Sequence, residues 1–432
     1  MALWVPVVWM FIVGSRLPSQ WMGGQMGSAA EVLEEGNPLD RTIYVGLIVL
    51  AIGFLLSRSF PWGAFFLRNR ALTAFLLFAL VSVFWSDFPL TASKRWFRDF
   101  GNYLMVLVVL SDPLPMEAIR TFLRRLHFLL IPLSILLIKY YPRLAIQYSP
   151  WTGAPEYIGA ASSKNTLGFL CMMSATFFVW DALTRWPDRN DSKRRRLILL
   201  DFAFIAMTVY LLRLSNSKTS TVCLIIGCLI LLAAHSGWFR RHPAFLKLLI
   251  PGCFAAYLLF AYGFGLNGDL ASEIGRDPTF TGRTTIWNAV LSTHTNPLFG
   301  TGYDSFWLGP RLQQVWNQTG PGINEAHNGY LDIYLNLGLV GLFFLSCLLI
   351  SSYRTICRNL APFSSLASLT AALFTIMFFY NMTEAALGAP TLCLTFLLGT
   401  LAVPRVTHSR EIPVRQSSFA ESDSRRQKGA IA

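Results

Sequence analysis

The chain has 432 residues, 53% hydrophobic and only 14% charged, with 36 Lys and Arg against 23 Asp and Glu for a formal net charge of +13. A soluble chain carries about 25% charged residues, and the apolar residues here gather in long runs, so a soluble enzyme is excluded. A nucleic-acid reading of the basic surplus has no motif behind it, whereas the positive-inside rule accounts for it directly.

Apolar segments fall at 2–14, 42–57, 70–85, 101–112, 122–139, 166–184, 198–213, 219–234, 247–265, 335–352, 363–380 and 387–403. Most approach the roughly 20 residues that a helix needs to cross a bilayer; the first and fourth are short for it. Alternating strands of about ten residues are not seen, so helices are the spanning element. The expected fold is an all-α polytopic membrane protein of about twelve transmembrane helices, with one large extracytoplasmic loop containing short helices. Residues 1–265 hold the N-terminal helices, 266–334 the loop, 335–403 the C-terminal helices and 404–432 a polar basic tail expected to be disordered. Met1–Gly14 lacks a basic n-region and a cleavage site, and reads as a first membrane helix. The seven cysteines lie in or beside apolar runs with no C-x-x-C, which favours small buried hydrophobes over disulfides or zinc ligands.

Basic residues set the orientation. Arg58, Arg68 and Arg70, Arg120, Arg124 and Arg125, Arg185 to Arg196, Arg240 to Lys247, Arg354 and Arg358, and the tail from Arg405 fall in alternate loops. That side is cytoplasmic, which puts both termini inside and loop 266–334 outside a bacterial inner membrane.

The basic residues on the outer side are the informative ones. Lys94, Arg95 and Arg98 lie in W-S-D-F-P-L-T-A-S-K-R-W-F-R, Lys164 in S-S-K-N-T-L-G and Lys218 in L-S-N-S-K-T-S. Arg276, Arg283 and Arg311 lie in the large loop. Each alone reads as a snorkelling or ion-paired side chain. Together they favour an anionic partner such as a diphosphate, which arginine forks and lysine point charges recognise.

His327 precedes a helix on which Asn328, Asp332 and Asn336 form one polar stripe. Two readings stay open: a capping Asn with a hydrogen-bonded stripe, or a histidine poised as proton acceptor, since imidazole titrates nearest neutral pH. Gly300 and Gly302 suit a tight turn or an anion nest. Trp307, Leu308, Leu312, Val315 and Trp316 repeat at helical spacing, as an interfacial helix or a packed loop helix. Glu384, in Y-N-M-T-E, is the only acid of its short outer turn; it reads as a partner for an outer arginine or as a group positioning an acceptor hydroxyl.

These pieces, in order, resemble the O-antigen ligase and polymerase superfamily, in particular its exopolysaccharide-polymerase branch. They are S-R-L-P-S-Q-W at 15–21, E-G-N-P-L-D-R at 35–41, W-S-D-F-P at 85–89, S-K-N-T-L-G at 163–168 and S-N-S-K-T-S at 215–220. They continue with G-R-T-T-I-W at 282–287, P-L-F-G-T-G-Y at 297–303, H-N-G-Y-L-D at 327–332 and N-M-T-E at 381–384. The resemblance implies a GT-C-like glycosyltransferase. Its donor would be an undecaprenyl-diphosphate-linked glycan and its acceptor a glycan or lipid-linked sugar hydroxyl. It implies no nucleotide sugar, no metal and no other cofactor. Arg283 matches the family's loop arginine and His327 its loop histidine. Lys218 stands where the ligases carry Arg, which keeps the charge and loses the fork. Diphosphate contacts are then expected from Lys218, Lys164, Arg95 and Arg98, catalysis from His327 and Arg283, and acceptor positioning from Glu384, Asp332 and Asn328. The rival reading is a transporter or flippase of a lipid-linked or anionic saccharide, which needs polar groups near the membrane midplane.

Overall fold

A computed structural model describes residues 2–23, 36–149, 153–242, 248, 251–252, 283–360, 365–394 and 398–403. The main helices are α1 (Trp4–Gly14), α2 (Pro38–Ser57), α3 (Arg70–Val81), α4 (Pro89–Leu110), α5 (Pro115–Tyr140) and α6 (Lys164–Arg185). They continue as α7 (Ser192–Ser215), α8 (Lys218–His235), α9 (Arg283–Ser292), α10 (Gly309–Thr319), α11 (Gly329–Leu360) and α12 (Ser365–Tyr380). One short antiparallel hairpin, Ile146–Tyr148 with Pro155–Tyr157, sits between α5 and α6. Sequence punctuation explains the starts. Asn37, Ser163, Asp191 and Ser217 accept backbone N–H groups as N-caps, and Pro38, Pro89 and Pro115 occupy first-turn positions where no N–H is needed.

Six of these helices, α2, α5, α6, α7, α8 and α11, are long and apolar enough to cross a membrane among the described residues. The chain is therefore a multi-pass helical membrane protein. The expected dozen spans take other forms elsewhere. Segment 70–85 is half of a pair, Trp62–Arg68 and Arg70–Trp85, bent by 99°. The bend comes at Asn69, whose backbone leaves the helical region and whose amide binds Phe65 O and Ala402 O. Segment 101–112 is the apolar half of the 22-residue α4, whose first half carries Lys94, Arg95 and Arg98. Segments 2–14 and 363–380 are shorter apolar helices. Segment 387–403 holds the short helices Ala389–Leu392 and Leu398–Thr400. Segment 247–265, residues 266–282 of the loop and the tail 404–432 lie outside the described residues, apart from 248 and 251–252.

Helix α6 is the hub, packed on α7, α8 and α12. It approaches α8 closely because Gly168 has no side chain: a Cβ there would lie 2.5 Å from Ser217 Cβ. This contact places S-K-N-T-L-G against S-N-S-K-T-S. Toward the other end of α6, Asp181, fully buried, meets Arg120, Arg124 and Arg185, while Asp201 of α7 meets Arg124 and Arg185. The charges cross-link α5, α6 and α7.

Helix α11 is interrupted. Gly338 adopts φ 64° and ψ −166°, and the segment 297–302 fills the gap. Leu339 N and Val340 N donate to Pro297 O and Leu298 O, while Thr301 N and Gly302 N donate to Leu335 O and Asn336 O. Gly300 and Gly302 thus serve close backbone approach: a Cβ on Gly300 would lie 2.4 Å from the Asn336 carbonyl carbon. The described part of the large loop has its own core of Ile286, Val290, Phe306, Trp307, Leu312, Val315, Ala326 and Leu335. The Trp307–Trp316 stripe therefore turns inward as a packed loop helix.

Candidate active site

Helix α9 is built around one pair, Arg283 and Trp287, spaced i and i+4 on one face. Arg283 Nη2 lies 2.7 Å from Glu384 Oε1, and Trp287 Nε1 donates to Ala326 O at 2.9 Å. Ala326 N in turn donates to the Asp332 carboxylate, at 3.2 Å to Oδ1. The peptide just before His327 is thus held from both sides. After it, Asn328 Oδ1 accepts from Tyr330 N and Leu331 N, both at 3.1 Å, and caps α11. Gly329 N donates to Asn381 O and Glu384 O, and a Cβ at Gly329 would meet Asn381 Oδ1 at 2.2 Å. The motifs G-R-x-x-x-W, H-N-G-Y-L-D and N-M-T-E converge on one knot.

His327 sits at its centre with φ 48°, a left-handed conformation uncommon for a non-glycine residue. Its Nδ1 is 3.0 Å from Glu325 Oε1 and 3.3 Å from Glu384 Oε2. Neither oxygen is aligned as a hydrogen-bond acceptor, so these are charge contacts. Burial pushes the imidazole down, but its contacts with Glu325 and Glu384 and their charges outweigh it and raise it to about 9. Glu384, almost wholly buried, is the hinge of the cluster: it touches Arg283 and His327 and accepts from Asn165 Nδ2 at 3.2 Å. Thr383 beside it binds Thr219, which brings the first turn of α8, and with it Lys218, to the same place. Glu325, His327 and Glu384 also form a set whose ligand atoms lie within 4.8 Å of one another. That donor set fits a divalent cation, although the Arg283 guanidinium already supplies positive charge to one carboxylate.

The second grouping lies on α4. Arg95 reaches the Asp304 carboxylate at 3.2 Å and its carbonyl at 2.5 Å; Arg98 lies 3.0 Å from Asp99 and 3.9 Å from Asp304. Tyr303 donates to Asp99 at 3.0 Å. Burial pushes the Asp304 carboxyl up, against the pull of both arginines. Lys164 pairs with Glu156 at 2.6 Å.

A cavity of about 530 Å³ is lined by Arg98, Asp99 and Asp304 of the second grouping and by Glu325, Gly329 and Asp332 at the edge of the first; His327, Arg283 and Glu384 lie beside it and not in its lining. Aromatic walls come from Trp9, Tyr44, Phe75, Tyr103 and Trp307. The volume lies in the range of small-molecule sites. Of the residues singled out in the sequence, His327, Arg283 and Glu384 come into direct contact, with Lys218 alongside. Arg95 and Arg98 belong to the second grouping, with Arg98 at the cavity. Lys164 is engaged by Glu156. Asp332 and Asn328 fix the backbone around His327: Asp332 also accepts from Trp307 Nε1 at 2.9 Å. Glu325 was missed because a lone acid in a polar loop has no spacing signature; two residues before His327 is the only hint. Arg16, in S-R-L-P-S-Q-W, lines the same cavity without any charge pattern in the sequence to mark it.

The O-Antigen ligase family profile matches residues 202–346, which take in α9, His327 and the break in α11 but not Glu384. The chain is also similar to the exopolysaccharide production protein ExoQ of Rhizobium meliloti (strain 1021), 25% identical over 362 residues, 77% of each chain. Residues 202–346 are thus similar to O-antigen ligases, and most of the chain is similar to a protein of exopolysaccharide production.

Proposed function

We propose that this O-antigen ligase-like membrane protein is a glycosyltransferase of polysaccharide assembly, moving a glycan from a polyprenyl diphosphate onto an acceptor sugar hydroxyl. The reaction runs at the outer face of a bacterial inner membrane, both chain termini being inside. The observation that carries the reading is the shared carboxylate: Glu384 holds Arg283 and His327 together in one cluster.

In this reading the acceptor hydroxyl oxygen attacks the anomeric carbon, the bond to the diphosphate breaks, and inversion follows from the single displacement. The hydroxyl proton passes to neutral His327, whose flanking carboxylates make it a strong base. The departing diphosphate is met by Arg283, whose N–H groups other than those on Glu384 have no partner among the described residues, together with Lys218. The sugar lies in the cavity, its ring faces on the aromatic walls and its hydroxyls donating to Asp99, Asp304, Asp332 and Glu325. A transporter reading draws on the broken helix α11, but the backbone groups freed at that break are taken up by the 297–302 segment.

The test uses purified full-length protein in detergent with a polyprenyl-diphosphate-linked oligosaccharide and no second compartment. Lengthened or transferred glycan is expected, falling about 100-fold or more in Arg283→Ala and in His327→Asn, a residue that tolerates the left-handed backbone. Full activity in His327→Asn, or a covalent glycosyl-enzyme, sinks the proposal.

A further inference from the structure

Four of the cations expected to hold the diphosphate face a carboxylate: Arg283 faces Glu384, Arg98 Asp99, Arg95 Asp304 and Lys164 Glu156. Arg16 is different. Its Nε donates to Ala161 O at 3.2 Å, and its Nη2 donates to Gly159 O at 2.9 Å and to Leu144 O. All three acceptors are neutral main-chain carbonyls. Among the described residues, Nη1 has no partner and no carboxylate lies within ion-pair distance of Arg16. The guanidinium lies over the Trp21 ring at 5.3 Å, is partly buried and lines the 530 Å³ cavity.

Three carbonyls and an indole orient the planar fork without neutralising it. A half-covered charge left without a counter-charge is costly, and here the fold fixes it at the wall of a cavity large enough for a ligand. The remaining cavity charges do not fill that role, since Arg98 is matched by Asp99 and Asp304, and Glu325 and Asp332 are acids. We infer that Arg16 is an oxyanion-binding residue of the cavity, holding a phosphate or a sugar carboxylate of the lipid-linked glycan through its open Nη1 edge. This deepens the transferase reading and rests on it for the identity of the ligand, not for the presence of the anion site.

Calorimetric titration of the purified full-length protein in nanodiscs tests it, with inorganic pyrophosphate and methyl glucuronide as probes and methyl glucoside as the neutral control. Wild type is expected to bind at least one anion more tightly than the neutral sugar. Arg16→Gln should weaken that anion roughly tenfold or more, as loss of a hydrogen bond to a charged group does. Arg16→Lys should fall between, keeping the charge without the fork. Loss confined to pyrophosphate marks a phosphate, and loss confined to the glucuronide marks a carboxylate. Equal binding of both anions by wild type and Arg16→Gln overturns the inference. Should Arg16→Gln not fold, phenylglyoxal labelling of wild-type Arg16, read by peptide mass mapping, decides. Protection by one anion is expected, and no protection by either overturns. A wild-type protein that binds the anion at Arg16 yet transfers no glycan defeats the transferase reading alone. Active transfer with unchanged anion binding in Arg16→Gln defeats this inference alone.

Discussion

A histidine flanked by two carboxylates carries a pH signature of its own. His327 is raised from an ordinary value of 6.5 to about 9, so the protonated form is the one that folding favours. Its contribution to stability is fully present below about 6.5 and is lost as pH rises through about 9. The transfer rate has the opposite slope if neutral His327 is the base: it should climb with pH and level off above about 9. Glu384→Gln removes one of the two charges, so the rising limb should move to lower pH while the maximal rate drops with the loosened Arg283. A pH–rate profile of both proteins checks this; a rate that falls through pH 9 would make His327 an imidazolium contact for the diphosphate instead. At this scale the sequence revealed Arg283 and His327 through their motifs, and singled out Glu384 as the only acid of its turn. Glu325 and the open edge of Arg16 were hidden, because Glu325 is a lone acid in a polar loop and the Arg16 acceptors lie 128 to 145 residues along the chain.

Helix α11 shows where element-level reading stops. The run from Leu335 onward reads as one apolar span, and N-L-G-L looks like any stretch of it. The break at Gly338 exists because the 297–302 backbone takes over the hydrogen bonds the helix gives up there, a tertiary event that an isolated glycine does not announce. Likewise α4 reads as a short span beginning at 101, because its first half is charged. That half is helical all the same, since Arg95 and Arg98 are matched by Asp304 and Asp99. The break gives a sharp expectation. Gly338→Ala must hold φ 64° with a Cβ 2.2 Å from Leu298 O, a backbone atom that cannot swing aside. The cost should exceed about 1–3 kcal/mol from the backbone conformation alone. A clear drop in the thermal unfolding temperature in detergent is expected; an unchanged one would mean the break is not held by this packing.

Across the whole molecule, the candidate site and a buried charge network sit at opposite ends of α6. Asn165, in its first turn, binds Glu384, while Asp181 sits in its last two turns among Arg120, Arg124 and Arg185. Sixteen residues of helix separate them by about 24 Å. The basic residues at the far end were legible in the sequence as charge clusters, although the structure sets Arg120 and Arg124 within α5 and not in a loop; their buried acids were not, since Asp181 and Asp201 lie inside apolar runs. Removing one acid leaves buried guanidinium charge unmatched, which costs about 3–5 kcal/mol, whereas among the described residues no member of the network lines the cavity or pairs with His327, Arg283 or Glu384. Asp181→Asn should therefore unfold at markedly lower temperature yet, assayed well below that temperature, transfer glycan at the wild-type rate per folded molecule with an unshifted pH profile. Unfolding followed by tryptophan fluorescence beside a transfer assay on the same preparation separates the two effects. A lowered rate in fully folded protein would mean that the charge network and the catalytic end are coupled through α6.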